Sequence, residues 1–246
     1  SARIIPYRGS WLDLEFDAKD VVYARIDRKR KFRVTTLLMA VGMDSKEILE
    51  SYYNTENYIL QKGVWVAEFD PESIPENRLR FDLINADNGE KLLESGQKIT
   101  KRLAKKFIEN GLKRILVQDS VLVGGYIGKE VVDPSSGEVL AKLGDQVTED
   151  ILKGLVAANI DSISMLKISP NSDAYIRNTL FSGKNQDKDS ALIDIFRILR
   201  PGEPATVEAG QALFDSLFFD VSRYDLSEVG RIKLNSRLGL DVSESN

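Results

Sequence analysis

The chemistry this sequence can offer is charge and stacking. The run RIDRKRKFR, residues 25–33, packs six basic residues into nine positions, and residues 1–33 hold nine Lys or Arg against five acids. The chain as a whole is acidic, with a formal net charge of −4. Attraction for phosphate depends on local potential, so one basic face on an acidic protein is enough to hold a polyanion. If the run is an extended strand, its side chains alternate between faces and only half of the charge, Arg28 included, can point one way. Two readings stay open for it: a phosphate-facing edge, or a solvated strand edge blunted by Lys and Arg against aggregation. Trp11 follows Arg8-Gly9-Ser10 and is open in the same sense. It is either a core anchor beside a turn or a platform on which a base stacks, for about 1–3 kcal/mol. Farther along, Arg200 can complement the negative end of a helix dipole, and Arg223 can pair with Asp220 or Asp225.

Zero Cys and zero His remove disulfides, thiolate nucleophiles, zinc sites of the usual type, His-based triads and imidazole bases. Asp and Glu are scattered without a tight cluster, so no catalytic, metal or cofactor residue is assigned. Gly124-Gly125 in VLVGGYIGK lacks the ending and the following helix of a phosphate loop, and reads as a tight turn between strands. A length of 246 residues with 42% apolar content allows one large or two ordinary domains. No apolar run reaches the ~18 residues of a membrane span, and no signal peptide follows Arg3 and Arg8. The chain starts at Ser1 rather than Met, which suggests a piece of something longer. The lack of Cys fits an intracellular setting, and a cytoplasmic one is expected.

The elements that must position these groups show a duplicated middle. Residues 89–116 and 137–164 align at a constant offset of 48: Gly89 with Gly137, Gly96 with Gly144, Thr100 with Thr148, Phe107 with Leu155, Ile115 with Ile163. Each copy reads turn, short strand, turn, helix, strand. Thr100 and Thr148 are expected N-caps, and Glu149-Asp150 suit the positive end of the second helix. Gly111 and Asn159 are expected to end the helices at positive φ, which these two residue types tolerate best. Two copies imply modules that pack on each other. Outside the repeat, residues 21–41 are rich in β-branched side chains and read as strands or a hairpin. Asp44 and Glu47 form a capping box opening a helix to Tyr53, and 182–190 reads as a polar loop. Residues 189–200 read as a helix burying Leu192, Ile195, Phe196 and Leu199, stopped by Pro201. A second helix from near Thr206 buries Leu213, Phe214, Leu217 and Phe218.

SARIIPYRGSWLDLEFD at the start and ILRPGEPATVEAGQALFDSLFFDVSRYDLSEVGRIKLN from Ile198 to Asn235, with RIDRKRK between them, closely resemble the lobe of the bacterial DNA-directed RNA polymerase beta subunit. The resemblance is specific at both ends and looser in the middle. It implies an α+β fold: a discontinuous mixed α/β lobe (1–50 and 170–246) interrupted by an inserted α+β domain (51–169) carrying the repeat. It also implies that Trp11 approaches an unpaired base of the non-template strand, and that Arg200 and Arg223 face single-stranded non-template DNA, where a planar guanidinium can both pair and stack. Glu203 would orient an Arg or meet a base edge, and Arg28 would lie on the phosphate-facing edge. Expected partners are DNA (non-template strand and downstream duplex), the alpha, beta prime and omega subunits, and sigma factor, with no membrane. No cofactor is expected in this chain, the Mg²⁺ of the whole enzyme being held by another subunit. The rival reading is a protein–protein interaction module without nucleic-acid contact; a free-standing enzyme ranks third.

Overall fold

The computed structural model describes residues 1–70, 79, 81–168, 174–185 and 187–241. Secondary structure runs β1 (Ala2–Ile4), β2 (Leu12–Phe16), β3 (Val22–Ile26), β4 (Phe32–Arg33), α1 (Val34–Val41) and α2 (Ser45–Tyr52). It continues β5 (Thr55–Gln61), β6 (Val64–Glu68), β7 (Leu83–Asn85), β8 (Lys91–Leu93), α3 (Lys101–Glu109), β9 (Arg114–Val117) and α4 (Asp119–Leu122). Then come β10 (Val131–Val132), β11 (Val139–Ala141), α5 (Glu149–Ala157), β12 (Ser162–Leu166), α6 (Tyr175–Phe181), α7 (Lys188–Leu199), α8 (Val207–Phe218) and α9 (Glu228–Leu238). The fold is α+β. Contacts divide the chain into one unit of Ser1–Tyr52 with Ala174–Asn246 and a second of Tyr53–Asp173. The boundary expected at 169–170 lies outside the described residues.

In the first unit, β1–β2–β3–β4 form an antiparallel sheet in sequence order. Its inner face buries Ala24, Ile26 and Phe32, and the helices of this unit bury Met39, Ile48, Leu192, Ile195 and Phe214. The two chain segments of this unit are tied by Thr179, whose hydroxyl accepts from the Val22 amide at 2.9 Å and donates to the Tyr175 carbonyl at 2.7 Å. Helices α7 and α8 approach closely at Gly210, where a Cβ would stand 2.9 Å from the Leu192 carbonyl oxygen. Asp187 and Thr206 cap these helices through the amides of Ser190 (2.8 Å) and Ala209 (3.1 Å). Leu192, Ile195, Phe196 and Phe214 are buried, whereas Leu199, Leu213, Leu217 and Phe218 are half-buried.

Two expectations for this unit need correction. Residues 34–41 are helix, not strand: Val34, Thr35, Thr36, Met39 and Ala40 are buried around much of the circumference of α1, closed by Gly42 at φ 116°. Burial overrides the β preference of three branched residues. The basic run is not one extended strand either. Asp27 and Arg28 take φ of 48° and 58°, and the Lys29 amide donates to the Ile26 carbonyl at 2.9 Å. That tight turn ends β3, and residues 29–31 form a loop before β4. The capping box does form, with Asp44 and Glu47 exchanging amide-to-carboxylate bonds of 2.9 and 2.7 Å, though its helix ends at Tyr52.

The second unit is built on the repeat, and the duplication runs further upstream than the sequence suggested. Leu79 and Ile127, again 48 apart, each accept from a turn glycine (Gly96 at 2.8 Å, Gly144 at 2.7 Å) and donate to the next residue's carbonyl (Gln97 and Asp145, both 2.9 Å). The β7–β8 and β10–β11 pairs share one register and one bulge: Leu83↔Leu93 and Ile84↔Lys91 match Val131↔Ala141 and Val132↔Val139. Thr100 and Thr148 cap α3 and α5 through the Leu103 and Ile151 amides at 3.2 and 3.3 Å. Gly111 and Asn159 stand at φ 93° and 52°.

The hairpin β5–β6 holds the copies together. Ile163, Tyr58, Ala67 and Ile115 form one row across β12–β5–β6–β9. A two-fold axis through that row relates Ser162↔Ile59, Ser164↔Asn57 and Met165↔Glu56 to Arg114↔Glu68, Leu116↔Val66 and Val117↔Trp65. The symmetry stops there, since β7 pairs with β9 whereas β10, among the described residues, pairs with β11 alone. Both copies feed one core, in which Leu83, Ile99, Ala104 and Ile115 meet Val131, Val147, Leu155 and Ile163. Gly124-Gly125 follows the short helix α4 rather than a strand, and the turn is fixed by the Val147 backbone at 2.9 and 2.8 Å.

Candidate nucleic-acid interface

The five residues that the sequence singles out, Trp11, Arg28, Arg200, Glu203 and Arg223, all lie in the first unit. Antiparallel pairing sets Arg3 opposite Asp13, and Asp13 opposite Arg25. The Asp13 carboxylate is largely buried and takes the Arg3 guanidinium in a two-pronged ion pair. That hydrogen bond, reinforced by charge, holds the Arg3 pKa above its usual value. Glu15 gathers two more cations, Arg25 at 2.9 Å and Lys31 at 3.9 Å, while Lys31 also lies 4.2 Å from the Tyr23 ring centre. Local sheet geometry thus arranges the cations in a row with carboxylates between them.

Trp11 sits at the end of this row. Its amide donates to the Asp27 carboxylate at 2.8 Å, and the Asp27 amide donates back to the Trp11 carbonyl at 3.0 Å. This reciprocal pair fixes the turn against the Trp and brings Arg28 over the indole, 5.1 Å from the ring centre, with Arg3 at 5.5 Å. Cation–π contacts of this kind contribute about 0.5–1 kcal/mol at an exposed site. Trp11 is half-buried and outside the apolar core, while Arg28 is exposed. Arg3 and Asp27 are participants the sequence reading missed. Asp27 carried a signal, since Asp favours turns and tolerates positive φ.

The segment before Trp11 is stitched to the far end of the chain. The Tyr7 and Arg8 amides donate to the Asp225 carbonyl at 2.8 and 3.2 Å, and the Asp225 amide returns to the Arg8 carbonyl at 2.8 Å. Gly9 stands at φ 128° against Tyr224, where a Cβ would come within 2.6 Å of the ring. The Arg8 guanidinium reaches the Val221 carbonyl at 3.2 Å. Arg223 follows, exposed, its Nε 3.3 Å from Asp220. The Asp220 carboxyl is held below its usual pKa, first by Ser222, whose hydroxyl and amide both donate to it.

Arg200 and Glu203 occupy the turn after α7, with Gly202 at φ 90°. Their charged groups are 3.8 Å apart and more than half exposed, a pairing worth little in water. The structure therefore brings Trp11 and Arg28 into contact and sets the Arg223 backbone against Gly9, two residues before Trp11. Arg200 and Glu203 lie at the opposite end of α8, whose 12 residues span about 18 Å. Among the described residues, no group of three or more His, Cys, Asp or Glu could hold a metal ion, and no helix is long and apolar enough to cross a membrane.

The family model for RNA polymerase Rpb2, domain 2, matches residues 1–121 and 138–246, and so runs through most of the second unit as well as the first. The chain is 58% identical over 245 residues to the DNA-directed RNA polymerase subunit beta of Rickettsia massiliae and of Rickettsia rickettsii, and 56% identical to that of Rickettsia akari. Each match covers 99% of this chain and 18% of the relative's length.

Proposed function

Since the chain belongs to the RNA polymerase Rpb2 domain 2 family, we propose that it acts within a DNA-directed RNA polymerase beta subunit, as a wall of the DNA cleft that contacts non-template promoter DNA. The observation that carries this reading is the Trp11 site: an indole held at a cationic turn, with Arg3 and Arg28 against it. A base stacking on Trp11 replaces a guanidinium on the ring, and the displaced Arg28 is free to take a phosphate. Arg223 adds an exposed cation on the segment set against Gly9, and Arg200 extends the contact to the other end of α8. Nucleotidyl transfer and its Mg²⁺ belong to other parts of the enzyme, so this chain supplies binding and no catalytic group. The alpha, beta prime and omega subunits and sigma factor are its partners in the cytoplasm.

The test uses assembled polymerase carrying these residues. Arg200→Ala and Arg223→Ala each remove a charged contact of about 1–3 kcal/mol, shortening the lifetime of the open promoter complex roughly tenfold while sparing elongation on a preformed RNA scaffold. Trp11→Ala shortens it by an amount that depends on the base opposite. Unchanged lifetimes in all three variants overturn the reading.

A further inference from the structure

The repeat offers an internal control: the same backbone twice, with different surfaces. Residues 89–116 hold eight basic residues against three acids, whereas 137–164 hold two against five. The difference concentrates on α3. Arg102, Lys105 and Lys106 are exposed on it, and positions 102, 105 and 106 fall within one ~100° arc of a helix. Glu109 closes the arc at its C-terminal end. None of the three cations makes an ion pair among the described residues. At the matching positions α5 carries Asp150, Lys153 and Gly154, yet it has the same length, the same threonine cap and the same kind of C-terminal turn.

The fold therefore does not call for this charge. Local electrostatics argue against part of it: Arg102 lies in the first turn, where the dipole favours an acid such as Asp150. A cation placed against the helix dipole, in the copy that could have carried an acid, is better explained by an outside ligand than by stability. The composition of the patch indicates which ligand. Protein interfaces are depleted in Lys and rely on aromatic or Arg anchors, whereas Lys binds phosphate well as a point charge. We propose that the outward face of α3 is a second binding surface, in the Tyr53–Asp173 unit, for the phosphate backbone of a nucleic acid, read without regard to base sequence. This inference rests on the reading that the chain works beside DNA.

The 246-residue chain, fluorescein-labelled oligothymidine and a labelled random-sequence duplex provide the test. Each phosphate neutralised contributes about 0.7–0.9 to the slope of log affinity against log salt. Arg102→Asp/Lys105→Gln/Lys106→Gln is expected to flatten that slope by about 2–3 and to weaken low-salt binding tenfold or more, equally for different base compositions. Unchanged slope and affinity in a folded triple variant overturn the proposal. Should the triple variant unfold, Asp150→Arg/Gly154→Lys carries the test, because with Lys153 it transfers the α3 pattern to α5; a slope that does not steepen overturns the proposal. Arg28→Ala separates the two readings: if it weakens binding while the triple variant does not, the α3 site falls and the DNA-wall reading stands. Polyglutamate that binds the chain where the oligonucleotides do not marks an acidic protein as the occupant and also overturns the proposal.

Discussion

The turns at Gly89 and Gly137 share a φ of 73° and the same closing bonds, Gly89 to Asn85 at 2.9 Å and Gly137 to Asp133 at 2.8 Å. Inside the turns the chemistry differs. Asn85 accepts the Asp87 amide at 2.9 Å with a neutral amide oxygen, whereas Asp133 accepts the Ser135 amide and hydroxyl and the Ser136 hydroxyl with a carboxylate. The helices differ in the same manner, basic in the first copy and acidic in the second, while caps, bulge and helix length are retained. What the copies share is what the fold requires; what they do not share is open to other uses.

The comparison breaks most readily in the core. Leu155 is fully buried, whereas its counterpart Phe107 is half-buried. Leu155→Ala is expected to cost about 2–5 kcal/mol in urea melts, with Phe107→Ala costing less than the 3–5 kcal/mol typical of a buried ring. Equal losses would mean that the copies share their core evenly. The helix ends come next. Gly111→Ala and Asn159→Ala each place a Cβ-bearing residue without a compensating side chain at positive φ, at about 1–2 kcal/mol, while Asn159→Gly should be near neutral. Thr100→Ala and Thr148→Ala should each cost about 1 kcal/mol and do so equally, since the caps have matching geometry. The smallest effect is in acid. Hydrogen bonds from Ser135 and then Ser136 lower the Asp133 pKa to about 2. A carboxyl depressed when folded stabilises the fold above its unfolded pKa of about 3.9, and that contribution is lost as pH falls through about 2. Amide exchange at Ser135 should quicken across that window while exchange at Asp87 does not show the same step.

Local signals made much of this fold legible in the sequence. The caps at Thr100, Thr148 and Thr206 and the Asp44–Glu47 box depend on neighbours within three residues, so their residue types suffice. The two-fold axis was not legible, because it lies in the β5–β6 hairpin, whose strands resemble neither copy. Helix α1 was misread because its Val34, Thr35 and Thr36 obey tertiary burial rather than propensity. Helix α9 was missed because it starts from Ser227 at an uncommon φ of 54° and holds Gly230 in its first turn. At the candidate site Trp11 and Arg28 could be named, but not the reciprocal Trp11–Asp27 bonds that unite them. That pairing spans 16 residues and exists only once β2 and β3 are in register.

The stitch between Arg8 and Asp225 also has a consequence in time. A ribosome adds about 5–20 residues per second, and Arg8 reaches Val221 across 213 residues. Strands β1 to β3 can pair almost as soon as they emerge, but the segment holding Gly9 waits about 10–40 s for Tyr224 to be synthesised. Throughout that interval the Trp11 turn exists without its C-terminal brace, while the whole Tyr53–Asp173 unit is translated and free to fold. The surface proposed to grip DNA is therefore completed only after the whole Tyr53–Asp173 unit has been translated.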